Sequence, residues 1–162
     1  MENARNTFYL ALRNTLALVN PQRVTVVRGV ERPGILVEEN ESATALAAPD
    51  IFVLRWTELV CHQQHSLALM EQQVELLYWT EGHSTNGGLD RGRLLSQMDS
   101  EVAQILGAGN AVKQNFGVVP PVNLATCIFW TGRSFAPMVT NKNRVSRVAK
   151  VTLYSYEEAA DL

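Results

Sequence analysis

The sequence predicts an α+β fold: a mainly antiparallel β-sheet with two principal helices packed on it. Two segments repeat apolar residues on a helical period, and several others are short, rich in β-branched residues and separated by turn signals. The predicted order is helix, several strands, helix and two strands, which differs from the regular strand–helix alternation of a parallel sheet. With 162 residues, the chain is predicted to form a single domain over 1–162 with a substantial core.

The first predicted helix covers residues 4 to about 19. Its apolar positions recur every three or four residues and therefore share one face: Phe8, Ala11, Leu12, Thr15, Leu16 and Val19. Pro21 ends this helix, because the residue before a proline is disfavoured in the helical conformation.

Two short strands, about 23–30 and 34–39, are predicted on either side of a Glu-Arg-Pro-Gly turn at 31–34. Proline presets the turn dihedral, and glycine tolerates a positive φ. A loop over 39–50 follows, because its small and acidic residues offer little to bury. The next segment, 51–60, is predicted to be a strand because it is rich in β-branched and aromatic side chains.

Residues 66–82 fit two periods. Met70, Val74 and Tyr78 lie on one face of a helix or of a strand, with Leu77 on that face in a helix and Leu76 in a strand. The Glu-Gln-Gln-Val-Glu-Leu sequence favours a helix, whereas the aromatic residues at its end and the glycine-rich segment after it favour a strand. We favour the strand and retain the helix as the alternative.

A second helix is predicted over 89–106, with Asp90 as its N-cap and Gly107 as its terminator. Its apolar face is formed by Leu94, Leu95, Met98, Val102, Ile105 and Leu106. Its charged side chains fall mostly away from that face and are predicted to be exposed surface residues rather than a reactive site: Asp90, Arg91, Asp99 and Glu101.

The remainder of the chain is predicted to contain two strands, 124–132 and 144–158, with irregular connections at 107–123 and 131–143. In the last strand, the residues of one parity are apolar and are predicted to be buried: Val145, Ala149, Val151 and Leu153.

The composition of the chain limits the kinds of partner that are expected. A formal net charge of −2 lacks the basic excess typical of nucleic-acid binding, and no window reaches 18 uninterrupted apolar residues, so neither nucleic acid nor membrane is an expected partner. The N-terminus does not have the pattern of a signal peptide, and two cysteines are too few for a disulfide framework. We therefore expect a soluble protein that stays inside the cell.

The densest group of reactive side chains is Glu-Leu-Val-Cys-His-Gln-Gln-His at 58–65. The spacing of Cys61 and His65 matches no established zinc pattern, so no metal site is predicted. No other cofactor and no catalytic residue is predicted either. Cys127 lies in an apolar run and is predicted to be buried. The alternative interpretation is an enzymatic or small-ligand-binding α+β domain with a pocket near Cys61, His62, His65 and Trp79.

Residues 76–99 read Leu-Leu-Tyr-Trp-Thr-Glu-Gly-His-Ser-Thr-Asn-Gly-Gly-Leu-Asp-Arg-Gly-Arg-Leu-Leu-Ser-Gln-Met-Asp. This segment, together with the order of elements, resembles the tail terminator and minor tail component family of long-tailed bacteriophages and prophages. The resemblance implies a structural protein without catalytic residues. It also implies a homo-oligomeric ring, typically a hexamer, that caps the tail tube and contacts tail tube and head-completion proteins. Such a protein is expected in the bacterial cytoplasm during assembly and then in a virion tail or tail-like particle. The connection at 107–123 and the segment at 58–65 depart from the family's pattern.

A subunit contact in such a ring is predicted from charge. The basic residues Lys142, Arg144, Arg147 and Lys150 lie near the start of the last strand, and the acidic residues Glu38, Glu39 and Glu41 lie near the loop at 39–50. The two groups are opposite in sign, and neither has an evident partner within its own element. We therefore predict that the basic group of one copy meets the acidic group of its neighbour; the alternative is that the basic residues protect an edge strand from unwanted pairing.

Overall fold

The computed structural model describes residues 1–40, 48–63 and 67–158. Within these ranges the helices are α1 (Glu2–Val19) and α2 (Arg91–Ile105), and a 3-10 turn covers Ser84–Asn86. Its strands are β1 (Val24–Val27), β2 (Val30–Pro33), β3 (Ile35–Val37), β4 (Phe52–His62), β5 (Leu69–Thr80), β6 (Gly109–Asn115), β7 (Val122–Trp130), β8 (Ser134–Phe135), β9 (Val139–Asn141) and β10 (Arg144–Tyr156).

The main sheet has the strand order β3-β4-β5-β10-β7-β6, and the short strands β8 and β9 also pair with β10. Its pairs are antiparallel except for β3 and β4, which run parallel. The predicted α+β class with a mainly antiparallel sheet is therefore confirmed. Residues 69–80 pair along their whole length with β10, so the strand prediction for this segment is confirmed and the helical alternative is wrong.

Both helices lie on the same face of this sheet, which we call the covered face. Strand β5 turns Val74, Leu76 and Tyr78 towards them, and β10 contributes the four residues predicted from its parity. The helices contribute Ala4, Phe8, Leu12, Leu16, Leu95, Met98, Val102, Ile105 and the adjoining Leu106 to the same core cluster. The ring of Phe8 meets that of Trp130 edge-on, with the centroids 5.2 Å apart. The apolar faces predicted for the two helices are thus the faces that pack.

The first hairpin differs from the prediction. The turn between β1 and β2 is at Arg28 and Gly29, not at 31–34, and both residues have positive φ, of 51° and 79°. Positive φ at both positions defines the two-residue loop whose twist matches that of paired strands. Pro33 is the last residue of β2, and Gly34 donates its N–H to the carbonyl of Arg23, 2.8 Å away. The hairpin forms a two-stranded sheet of its own, separate from β3.

The connection predicted as irregular at 107–123 contains β6, which forms one end of the main sheet. Side chains of α1 accept hydrogen bonds from two N–H groups at its end: Gln114 donates to Oγ1 of Thr7, and Phe116, which follows β6, donates to Oδ1 of Asn3, each at 3.0 Å. The polar sequence of β6 has no strand-like alternation, so pairing with β7 determines its conformation. The region 131–143 also contains two short strands, β8 and β9, where a loop was predicted.

The main prediction for the second helix that the structure corrects is the exposure of Glu101. This residue was predicted to be exposed, yet it is only 5% exposed and forms an ion pair with Arg23, which precedes β1. Nδ2 of Asn20 also donates to its carboxylate, at 2.8 Å. The ion pair ties the end of α1 and the base of the hairpin to α2. None of the helices in the described ranges is long and apolar enough to cross a membrane.

We predict that Met98→Asp lowers the free energy of unfolding by about 3 kcal/mol or more, because an unpaired carboxylate enters the core. Ser96→Asp, on the exposed side of α2, is the matched control and should change it by about 0.5 kcal/mol or less. Urea unfolding followed by circular dichroism measures both. Equal losses would mean that α2 does not pack through Met98.

Glu101→Ala is expected to lower the free energy of unfolding by about 3–5 kcal/mol, because removal of one partner leaves the charge of Arg23 buried. Gln104→Ala, one turn along the same helix and exposed, should cost about 0.5 kcal/mol or less. Thermal and urea unfolding of the two variants tests this. A Glu101→Ala protein as stable as the control would mean that Glu101 behaves as the exposed surface residue predicted from the sequence.

Candidate functional site

The residues predicted to form a subunit contact are partly joined within one chain. Glu38 accepts two hydrogen bonds from Arg55, at 2.6 and 2.7 Å, and these hold the pKa of its carboxyl below the usual value. Arg55 is the register partner of Glu75, and Glu75 in turn pairs with Lys150, 3.0 Å away. A ladder of alternating charge therefore runs from the end of β3 across β4 and β5 to β10.

The other basic residues differ in environment. Arg147 lies on the covered face, with Nε 3.4 Å from Oδ1 of Asp99. The guanidinium of Arg144 lies 5.2 Å from the ring centroid of Trp79. Lys142 is in a turn with a φ of 46°, and its carbonyl accepts a hydrogen bond from Arg91.

The two acidic residues that remain are Glu39, which lines a cleft beside α1, and Glu41, which lies outside the described residues. Several of the predicted interface residues thus have partners on neighbouring elements of their own chain. These partners lie on other elements than the charged groups themselves, so the expectation that neither group has a partner within its own element is not contradicted, and the contact itself stays a prediction.

A pocket was predicted around Cys61, His62, His65 and Trp79. Those of its residues that the structure describes do not lie together. Cys61 and His62 end β4, and Nε2 of His62 lies 2.9 Å from Oε2 of Glu71. His62 pairs with Leu69, whereas Trp79 lies ten residues farther along β5, a distance of about 33 Å on an extended strand. His65 lies outside the described residues. In the ranges that the structure describes, no group of three or more His, Cys, Asp or Glu side chains could hold a metal ion.

A histidine–aspartate pair that sequence reasoning missed lies just before α2. Asp90 was predicted as the helix cap and does occupy the cap position, but its side chain makes no capping hydrogen bond. Its carboxylate instead accepts hydrogen bonds from Nδ1 and the backbone N–H of His83, at 2.5 and 3.0 Å. The bond from the ring is the larger cause, and the two bonds together hold the pKa of Asp90 well below its usual range. The only signal in the sequence was the seven-residue spacing across a glycine-rich turn.

Asp90 fixes the orientation of the His83 ring, as an aspartate does for a general-base histidine. The ring lies between two shallow clefts of about 330 and 340 Å³, lined mainly by polar side chains. In the described part of the chain, no serine or cysteine side chain is hydrogen-bonded to it. The pair can hold a ring in place and accept a proton, but the described structure supplies it with no nucleophile.

A second polar group lies under α2. The hydroxyl of Tyr78 donates to Oδ1 of Asp99 at 2.5 Å, and Asp99 also faces Arg147. Burial of the phenol, and then its hydrogen bond to Asp99, raise the pKa of Tyr78 well above its usual value. The group joins α2 to β5 and β10 through polar contacts at the margin of the core, so its evident role is structural.

The face opposite the helices carries a group of exposed or half-buried apolar side chains across β6, β7 and β10. We call Val112, Cys127, Phe129 and Tyr154 the open patch. Val112 pairs with Cys127 in the sheet register and Phe129 with Tyr154, whose rings stack with centroids 5.1 Å apart. Val112 is 46% exposed and Phe129 39%.

Cys127 was predicted to be buried, and this prediction is wrong because its parity places it on the open patch. The apolar run around it does not distinguish the two faces of β7, so only the pairing of the strand reveals the outward position. A thiol on this surface is available to solvent, which gives a chemical handle for the patch.

Comparisons with known proteins leave the family open: no protein-family model matches the chain, and no match to it was found among curated proteins.

The raised pKa of Tyr78 predicts a specific loss of stability in alkali. The native state favours the protonated phenol, so this contribution is present below a pH of about 10 and is lost as the pH rises beyond it. Tyr78→Phe should cost about 1 kcal/mol near neutral pH and should show a smaller further loss in alkali. Tyr154→Phe, which retains Tyr78, is the control. Urea unfolding over a pH series measures this, and an unchanged alkaline loss in Tyr78→Phe would contradict it.

Proposed function

We propose that this protein works by self-association as a structural component of a phage or prophage tail. In this proposal it is a tail-completion protein, of the tail terminator kind, that forms a ring at the end of the tail tube. The observation that carries the proposal is the open patch. An antiparallel sheet commonly turns one face to water, but the residues there are then mostly polar. Here aromatic and aliphatic side chains form a cluster on that face across β6, β7 and β10, as at surfaces that contact other proteins.

The one-sided packing of the helices supports the same proposal. Because α1 and α2 both lie on the covered face, the opposite face of β10, β7 and β6 is accessible to another molecule. Phe129 and Tyr154 are well suited to such a contact, since stacked aromatic rings offer a large and rigid apolar area. The exposed ladder of ion pairs beside the patch would contribute specificity more than affinity.

The resemblance to tail-completion proteins supports the more specific part of the proposal. The segment that carries it, 76–99, forms the end of β5, the 3-10 turn and the first half of α2. The order of helix, strands, helix and strands on which it also depends is the order in the structure, with β6 added after α2. The proposed partners are further copies of the chain, tail tube protein and head-completion proteins, with no nucleic acid or membrane. The proposed places are the bacterial cytoplasm during assembly and then the virion tail or tail-like particle.

Light scattering after size-exclusion chromatography, over a wide concentration range, tests self-association. We expect a monomer in dilute solution and larger species as the concentration rises. Val112→Lys should shift that transition to about tenfold higher concentration or more, because loss of an apolar contact and burial of a charge together cost at least about 1.4 kcal/mol. Leu89→Lys, at a position that is 92% exposed and outside the patch, should leave it unchanged.

A parent protein that stays monomeric at every concentration, with or without purified tail tube, would contradict the proposed function. Equal effects of the two lysine variants would instead show self-association through another surface. Electron microscopy of the larger species separates closed rings from open chains. Genes for tail tube or tail sheath proteins beside the gene for this chain would support the tail assignment independently.

A further inference from the structure

We propose that the β1–β2 hairpin of one copy docks on the open patch of a second copy. We call the hairpin, residues 24–33, the arm. This inference rests on the proposed self-association and names the two surfaces that meet. It replaces a contact made only by charges, several of which have partners in their own chain, with a contact between apolar surfaces.

The distal end of the arm is exposed to solvent. Its two strands pair only with each other among the described residues, and a lone two-stranded hairpin is marginally stable in water. Val26 and Val30 lie on opposite faces of the hairpin, because Val26 pairs with Glu31 and Val30 with Val27. Both are more than 60% exposed, so neither face of the distal arm is covered. Packing on a second copy would bury these valines.

The arm cannot reach the open patch of its own chain. Arg23, at the base of the arm, is held by Glu101 of α2, and β2 contacts α1. Both helices lie on the covered face, whereas the open patch is on the opposite face of the sheet. The two apolar surfaces of one chain are therefore separated by the sheet itself, and only another copy can bring an arm to the patch.

The length of the arm agrees with that of a row of side chains that begins in the open patch and continues beyond it across β5 and β4. Each arm strand has four residues and is therefore about 13 Å long. The row of register partners Phe129, Tyr154, Glu71 and Val60 crosses four neighbouring strands, a width of about 14 Å. Val60 is 36% exposed, so the row ends in an apolar residue on both sides. An arm laid across the strands would cover the row over its whole length.

Charge favours the same arrangement. Arg28 is at the tip of the arm, and the row on the sheet contains a carboxylate, Glu71, which already accepts a hydrogen bond from Gln73 and lies 2.9 Å from Nε2 of His62. The nearest cation on this face along β10 is Lys150, which is paired with Glu75. An arginine on the arm therefore meets an acidic position on the sheet. Because arm and patch are different surfaces, each copy can give one contact and receive another, as a closed ring requires.

Cys127 allows a direct test, because its thiol lies on the open patch. In a Cys61→Ser background, Val26→Cys places a second thiol on the arm. Oxidation with copper phenanthroline at a concentration where the protein self-associates should join copies into covalent dimers and larger species on non-reducing gels. Leu89→Cys in the same background is the control with equal thiol content and should give at least about tenfold less product. Addition of Cys127→Ser to the arm variant should abolish the product.

The outcomes separate the two proposals. Cross-linking through Val26→Cys and Cys127, rising with concentration and absent from the control, supports the arm contact. Larger species in light scattering without this cross-link would overturn the arm contact and leave self-association intact. A protein that forms no larger species overturns both. Arg28→Glu gives a second readout without a disulfide: it should weaken association, and reversal of Glu71 to lysine in the same chain should restore it.

Discussion

Strands β5 and β10 pair continuously from Leu69 and Tyr156 at one end to Thr80 and Val145 at the other. Side chains alternate strictly along each strand, so this one ladder decides which residues of the central sheet face the helices and which face away. A slip by one residue would exchange Tyr78 for Trp79 on the covered face. The core, the Tyr78–Asp99 bond and the open patch all follow from this register, because β4 and β7 are aligned on the same two strands.

The strongly periodic elements could be predicted from the sequence. The two helices, the buried parity of β10 and the strand at 69–80 each carry a repeated apolar pattern that holds over several turns or pairs. The position of the hairpin turn could not be predicted. Pro33 and Gly34 have the stronger turn propensity, but the residues that adopt the positive φ angles of the turn are Arg28 and Gly29. Strand β6 was missed for a related reason: its sequence is polar, and its conformation depends on a distant partner and on α1. For β6, tertiary contacts outweighed local preference.

Side-chain environments were less predictable than elements. Position on the polar side of α2 suggests that Glu101 is exposed, but Arg23, which is 78 residues away in sequence, approaches from the hairpin and buries the pair. The same limitation applies to Cys127, whose run of apolar neighbours says nothing about which face of β7 it occupies. The charged residues Glu38 and Lys150 were recognised correctly as opposite in sign. Their link through Arg55 and Glu75 required the strand order, which periodicity alone does not provide.

The side chains of Asn3 and Thr7 on α1 accept hydrogen bonds from two N–H groups at the end of β6. An incoming strand would have to displace these bonds before it could add to that edge. These two bonds therefore oppose the addition of a strand at this end of the edge, the kind of growth that leads to fibrils. Growth through the faces of the molecule is favoured instead, and there the geometry of each contact limits how many copies can follow.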